Sequence, residues 1–155
     1  MALRNVVTKG DDVLARNCRE VTEINDRIIT LLDDMTETMR LEKGVGIAAP
    51  QVGIARRICV IEPEEGQITE LINPEIIQAE GSTMSCEGCL SVPGVLGDVE
   101  RPERVKVKYM NRKGEAIEEE LVGFSAIVVS HEVDHLNGIL FVDKATNIRN
   151  VDMDE

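Results

Sequence analysis

Between Asn25 and Leu41 the apolar residues Ile28, Leu31, Leu32, Met35 and Met39 recur three or four positions apart, which predicts a helix burying that stripe. Asn25 suits its N-cap, because the side-chain oxygen can accept an otherwise orphaned backbone N–H. The stretch Gly44–Gly53 that follows is rich in small residues, and no helix continues past its Pro50. The spacing then shortens. Strands are expected at Arg57 to Ile61, Ile68 to Ile72 and Glu75 to Ala79. Val105-Lys106-Val107-Lys108-Tyr109 alternates with period two, as a strand with one dry and one wet face does. Asn111-Arg112-Lys113-Gly114 reads as a hairpin turn into Glu115 to Val122. Ser125 to Ser130 is ambiguous, since Ile127, Val128 and Val129 favour a strand while the residues after them argue for a helix. Strands mostly adjacent in sequence, with few helices, indicate an α+β fold with antiparallel pairing. No repeat or linker interrupts residues 1–155, so a single domain is expected, with a short acidic tail from about residue 147.

Composition narrows the function. Hydrophobic residues make up 43% of the chain, enough for a globular core. Aromatics reach only 2%, namely Tyr109, Phe124 and Phe141, so that core is aliphatic and a base-stacking platform is excluded. With 17 Lys or Arg against 29 Asp or Glu the net charge is −12, and no basic stripe exists for nucleic acid. The start, Met1-Ala2-Leu3-Arg4-Asn5, leads into polar residues, and runs such as Ile139-Leu140-Phe141-Val142 are too short to span a bilayer. Cys18, Cys59, Cys86 and Cys89 are too scattered for a secreted disulfide framework. A cytoplasmic protein with reduced thiols and no membrane partner is expected.

Both histidines of the chain lie in His131-Glu132-Val133-Asp134-His135. On a helix, positions i and i+4 share a face and two imidazoles can converge on one metal ion; in a strand they would stand about 13 Å apart. Metal binding therefore requires this segment to be helical. Glu132, beside the first histidine, is placed to exchange a proton with water at such a site. The third ligand is not a histidine: the position that would supply it in a metzincin is Phe141, and a zincin glutamate could only be Glu155. A cysteine thiolate is the natural replacement. Cys86 and Cys89 form a Cys-x-x-Cys, which admits a redox pair or a closed Cys2His2 structural zinc site. Pro93 and Gly94 argue for a loop there, and the gap from Cys89 to His131 does not match zinc-finger spacing. An open site of Cys89, His131 and His135 leaves room for water and gives Glu132 a task.

Three blocks of the chain resemble the signature motifs of the peptide deformylase family. Gly44 to Gln51 is similar to Gly-x-Gly-hydrophobic-Ala-Ala-Pro-Gln, Glu87 to Ser91 to Glu-Gly-Cys-Leu-Ser, and His131 to Gly138 to His-Glu-x-Asp-His-Leu-x-Gly. The resemblance implies small antiparallel sheets packed around a central C-terminal helix that carries the HExDH motif. It implies a metal-dependent hydrolase that removes the formyl group from the N-terminal formylmethionine of nascent polypeptides. Cys89, His131 and His135 would hold one divalent metal, Fe2+ before Zn2+, Ni2+ or Co2+. A metal-bound water would attack the formyl carbonyl, with Glu132 as general acid/base. The Gln51 side-chain amide and the Leu90 backbone N–H would face the oxyanion.

Gly46 would let the substrate backbone approach, and Ile47, Phe124, Ile127 and Val128 would line a pocket for the methionine side chain. Glu87 and Arg101 would pair beneath the cysteine, and Asp134 would orient an imidazole or brace the cysteine loop. A zinc metallopeptidase and a non-catalytic domain with a Cys2His2 zinc are the competing readings.

Some positions depart from the family pattern. Ser130 stands where many members carry Gln, and Asp12 where Pro is frequent. Cys86 suggests a switch: a Cys86–Cys89 disulfide would release the metal and silence the enzyme reversibly. Some members reach the ribosome through a long basic C-terminal helix. Here the last residues, Asn150-Val151-Asp152-Met153-Asp154-Glu155, are acidic, so at most transient ribosome contact is expected, and the protein is expected to be a monomer.

Overall fold

The computed structural model describes residues 2–151. Helix α1 (Asp26–Leu41) begins where the capping residue places it, with Asn25 Oδ1 accepting the Ile28 N–H at 3.2 Å. Leu31, Leu32, Met35 and Met39 are buried, and Ile28 packs at the edge of the same cluster. The stripe is therefore a core face.

Five strands form one antiparallel sheet in the order β1 (Gly46–Ala48), β2 (Ile58–Ile61), β3 (Thr69–Glu80), β6 (Arg104–Met110) and β7 (Ala116–Val122). All of β2 is buried because alternate side chains enter opposite clusters. Ile58 and Val60 pack towards α1, while Cys59 and Ile61 join the cluster of helix α2 (Phe124–Leu136). In β6 the expected alternation holds, with Val105, Val107 and Tyr109 buried. The β6–β7 hairpin turns at Asn111–Gly114, closed by the Gly114 N–H donating to the Asn111 carbonyl at 2.9 Å.

The two strands expected at 68–72 and 75–79 are one, β3, whose register slips between Ile72 and Glu75. Asn73 there has a left-handed φ of 53° and Pro74 has no N–H to donate. The Asn73 side chain settles the irregularity by bonding both the N–H and the carbonyl of Val21 at 2.8 Å.

A second sheet, of order β4 (Thr83–Cys89), β5 (Val92–Arg101) and β8 (Thr146–Asn150), departs most from expectation. The cysteine block is no loop: Pro93 and Gly94 lie inside β5, and Cys89 pairs with Val92 across a tight Leu90–Ser91 turn. Residues 146–150, expected to open a tail, pair with β5. Asp152, Asp154 and Glu155 lie outside the described residues. The ambiguous segment 125–130 is helical, as metal binding required. Ser130 fits the helix by donating its hydroxyl to the Ala126 carbonyl at 2.7 Å.

Candidate metal centre

Helix α2 carries His131 and His135 one turn apart, and their Nε2 atoms lie 3.3 Å from each other. Cys89, at the end of β4, brings Sγ to 3.3 Å from His135 Nε2. One ligand atom from each of the three residues lies within 4.8 Å of the others. Two imidazole nitrogens and a thiolate converging this closely fit a borderline-soft divalent metal. Cys86 is not in the group. It is exposed, and its Sγ accepts from Arg149 at 3.0 Å, which removes the closed Cys2His2 reading. Cys86 and Cys89 are both free cysteines of β4, with a register shift between Glu87 and Cys89. Phe141, where a metzincin would place its third histidine, is buried and stacks on the His131 ring at 6.2 Å.

The ligands are held from behind. His131 Nδ1–H donates to Glu87 Oε1 at 2.9 Å, leaving Nε2 with a lone pair turned to the site. Arg101, on β5, grips both oxygens of Glu87 at 2.8 Å and donates to Asp134 at 2.6 Å, and Asp134 also pairs with Lys144 at 3.0 Å. The expected Glu87–Arg101 pair is thus present and buried. Asp134 braces it, and among the described residues no imidazole bonds to it. Burial alone would raise the Glu87 pKa, but the Arg101 and His131 bonds outweigh it and hold the carboxyl at about 2. For His131, burial opposes protonation, yet bonds to Cys89 and Glu87 push the metal-free side chain up to about 10. Burial, and then the charge on His131, drive His135 well below its usual value. Metal binding to the free chain therefore displaces a proton.

Glu132 points into the same space. Burial pushes its pKa up to about 7, against the pull of His131 and Arg101. Its Oε1 has no hydrogen-bond partner among the described residues. A Cβ added at Gly46 would fall 2.5 Å from Glu132 Oε2. The nearest reason for this glycine is the Glu132 carboxylate, a neighbour that sequence reasoning did not foresee. Gln51 is fully preset: Oε1 accepts from the Ala48 N–H at 2.9 Å, while Nε2 faces Ser91 Oγ at 3.3 Å and Cys89 Sγ at 3.5 Å. Ser91 thus has a contact that sequence reasoning did not assign, although it stands beside Leu90 in the same block.

A cavity of about 560 Å³ opens on these groups. Gly46, Gln51, Leu90, Phe124, Ile127 and Val128 line it, as do His131 and Glu132. Ile47 does not. It is fully buried in the α1 cluster, because alternation in β1 turns it to the face opposite Ala48.

The family model of polypeptide deformylase matches residues 3–151. A peptide deformylase of Thermoanaerobacter pseudethanolicus is 52% identical over 155 residues, covering 100% of this chain and 96% of its own. One from Alkaliphilus metalliredigens is 54% identical over 93% of this chain and 97% of its own. The crystal structure of the Thermotoga maritima peptide deformylase superposes with a TM-score of 0.90 at 41% identity, covering 93% of this chain and 98% of that one. A Met-Ala-Ser-bound class I type b peptide deformylase from Acinetobacter baumannii gives 0.87 at 40% identity, covering 92% and 98%. A whole-length match in sequence and fold, around a triad able to hold a metal ion, leads to one conclusion: the chain belongs to the polypeptide deformylase family and is an enzyme of metal-dependent deformylation.

Proposed function

We propose that Cys89, His131 and His135 hold one divalent metal, and that Glu132, Gln51 and Leu90 perform the removal of formyl groups from formylmethionyl chain ends around it. The carrying observation is the convergence of the three ligand atoms beside a buried Glu132 whose Oε1 has no hydrogen-bond partner among the described residues. When bound, the metal supplies Lewis acidity and lowers the pKa of a ligated water towards about 7. Glu132 Oε1 takes the proton released by attack on the formyl carbon and passes it to the departing amine, a task suited to a carboxyl titrating near neutral pH. The Gln51 Nε2–H2 and the Leu90 N–H donate to the tetrahedral oxyanion. Because the Ala48 N–H fixes the other end of the Gln51 amide, little reorganisation is needed as the charge develops.

Phe124, Ile127 and Val128 form an apolar wall for the methionine side chain. The Met-Ala-Ser peptide bound to the Acinetobacter relative supports a ligand that begins with Met. Iron(II) is the metal we assign, with Zn2+, Ni2+ or Co2+ compatible with the same donors. The protein is assigned to the cytoplasm, as a monomer of one domain meeting nascent chains with only transient ribosome contact. No described helix is long and apolar enough to cross a membrane.

Formate release tests the reading. Protein loaded with ferrous iron or nickel is expected to liberate formate from formyl-Met peptides. Glu132→Ala should lower kcat by about 10²–10⁴ or more while its metal content stays equal to wild type. No formate from fully metallated protein would falsify the central reading.

A further inference from the structure

The segments that carry Gln51 and Leu90 belong to different sheets. Gln51 sits in the short 3-10 turn Ala49–Val52 that continues β1, and Leu90 in the β4–β5 turn. Among the described residues no backbone hydrogen bond joins residues 44–53 to 83–101; only the Gln51 side chain crosses. A third segment spans the seam. The Val7 N–H donates to the Gln51 carbonyl at 2.8 Å, and the Lys9 N–H donates to the Ser91 carbonyl at 2.8 Å. Upstream, the same segment is anchored on α1, where the Arg4 N–H donates to Thr38 Oγ1 at 3.0 Å and Arg4 Nε to Asp34 Oδ2 at 2.9 Å. The Val7 side chain packs into the cluster that includes Val92 and Cys89.

We infer that the N-terminal segment is a positioning strap whose Val7 and Lys9 amides set the distance between the two oxyanion donors. The inference rests on the assignment of Gln51 and Leu90 to the oxyanion. Val7 and Lys9 stand two residues apart where the segment enters a turn, the Asp11 N–H donating to the Thr8 carbonyl at 3.1 Å, so one short segment holds the two carbonyls at a fixed spacing. The Gln51 carbonyl anchors the residue whose amide donates, and the Ser91 carbonyl lies in the same two-residue turn as Leu90, two peptides on from the one that carries the Leu90 N–H. Slackening either bond lets one donor drift relative to the other while the metal ligands stay on β4 and α2. Such drift weakens a contact that matters in the transition state, so turnover suffers and capture of the ground-state substrate does not.

Removing single N–H groups tests this. Val7→Pro and Lys9→Pro each delete one donor, while Thr8→Pro adds the same stiffness at an amide with no partner among the described residues. In metallated protein, Val7→Pro and Lys9→Pro are expected to lower kcat about 10- to 100-fold with KM and metal content unchanged. Thr8→Pro should stay close to wild type. Should a proline variant fail to fold, amide-to-ester replacement at residue 7 or 9 by semisynthesis removes the donor with little change of shape. Gln51→Ala supplies the second arm. If the strap acts through Gln51, Val7→Pro should cost little more in the Gln51→Ala background, whereas independent multiplication of the two losses overturns the strap. A loss in Gln51→Ala alone, with Val7→Pro and its ester at wild-type kcat, overturns the strap and leaves the oxyanion assignment standing. An unchanged Gln51→Ala overturns that assignment instead.

Discussion

Helices α1 and α2 are of similar length, 16 and 13 residues, but they are held in opposite ways. α1 buries one apolar stripe and leaves its other side to solvent, as a surface helix of period 3.6 does. α2 buries Val128, Val129 and Leu136 together with Ser130, Glu132 and His135. A helix wrapped on several sides has no single stripe to recognise. Two of its polar side chains are held by partners from another part of the chain, His131 by Glu87 on β4 and Asp134 by Arg101 on β5, while Ser130 bonds within the helix. α1 is stabilised by transfer of apolar surface. α2 is stabilised as much by a paired charge network, and that network also aims a metal ligand.

The largest effect expected from breaking this contrast is at Arg101. Its guanidinium is 2% exposed between Glu87 and Asp134, so Arg101→Met leaves buried carboxylates without a cation. Removing one partner of a buried pair costs about 3–5 kcal/mol. Release of Glu87, the group behind His131, should also weaken metal binding about 10- to 100-fold. Urea titration and a chelator competition on the same sample measure both. If stability falls and metal affinity does not, the network is scaffolding only and α2 resembles α1 after all. The counterpart is Leu32→Ala on α1, at a fully buried position, with an expected cost of about 2–5 kcal/mol. In buffer where the variant remains folded, its metal content and kcat should match wild type. A drop in kcat there would mean that packing under α1 reaches the site.

The same contrast explains what could be read from sequence. Where burial is one-sided, period and capping chemistry suffice: Asn25 and the stripe mark α1, and Val105, Val107 and Tyr109 mark β6. For α2 the side-chain pattern was ambiguous, and the requirement that His131 and His135 meet one metal decided it. The second sheet was illegible for a different reason. Gly88, Pro93, Gly94 and Gly97 interrupt any alternation along β4 and β5, and the strands are specified instead by backbone pairing and by Glu87 and Arg101 facing inward. Ile47 shows the limit of carrying a role over with its motif. A neighbour of Gly46 in sequence is on the other face of the strand, and a period of two sends it to the α1 core.

The smallest expected effect concerns the buried charge of α1. Asp34, 3% exposed, accepts the Ala2 N–H at 2.8 Å and the Arg4 guanidinium at 2.9 Å. Burial works against its ionisation, but these bonds outweigh it and hold the carboxyl below its usual value. A carboxyl depressed in the folded chain contributes stability that is complete above its unfolded pKa of about 3.9 and is lost as pH falls through the folded value. Asp34→Asn should therefore be less stable than wild type at pH 7, by about 1.5–3 kcal/mol for charge-assisted bonds. The gap should stay flat down to about pH 4 and close below it, as the wild-type carboxyl takes up its proton. Urea midpoints at pH 7, 5 and 3 follow that convergence. Because the bonds tie the N-terminal segment to α1 and no metal ligand takes part, metal content should not change at pH 7. A gap that persists undiminished at pH 3 would mean that the geometry of the bonds matters here and their charge does not. The buried contacts of α1 would then stabilise it without their charge, and its contrast with α2 would be sharper still.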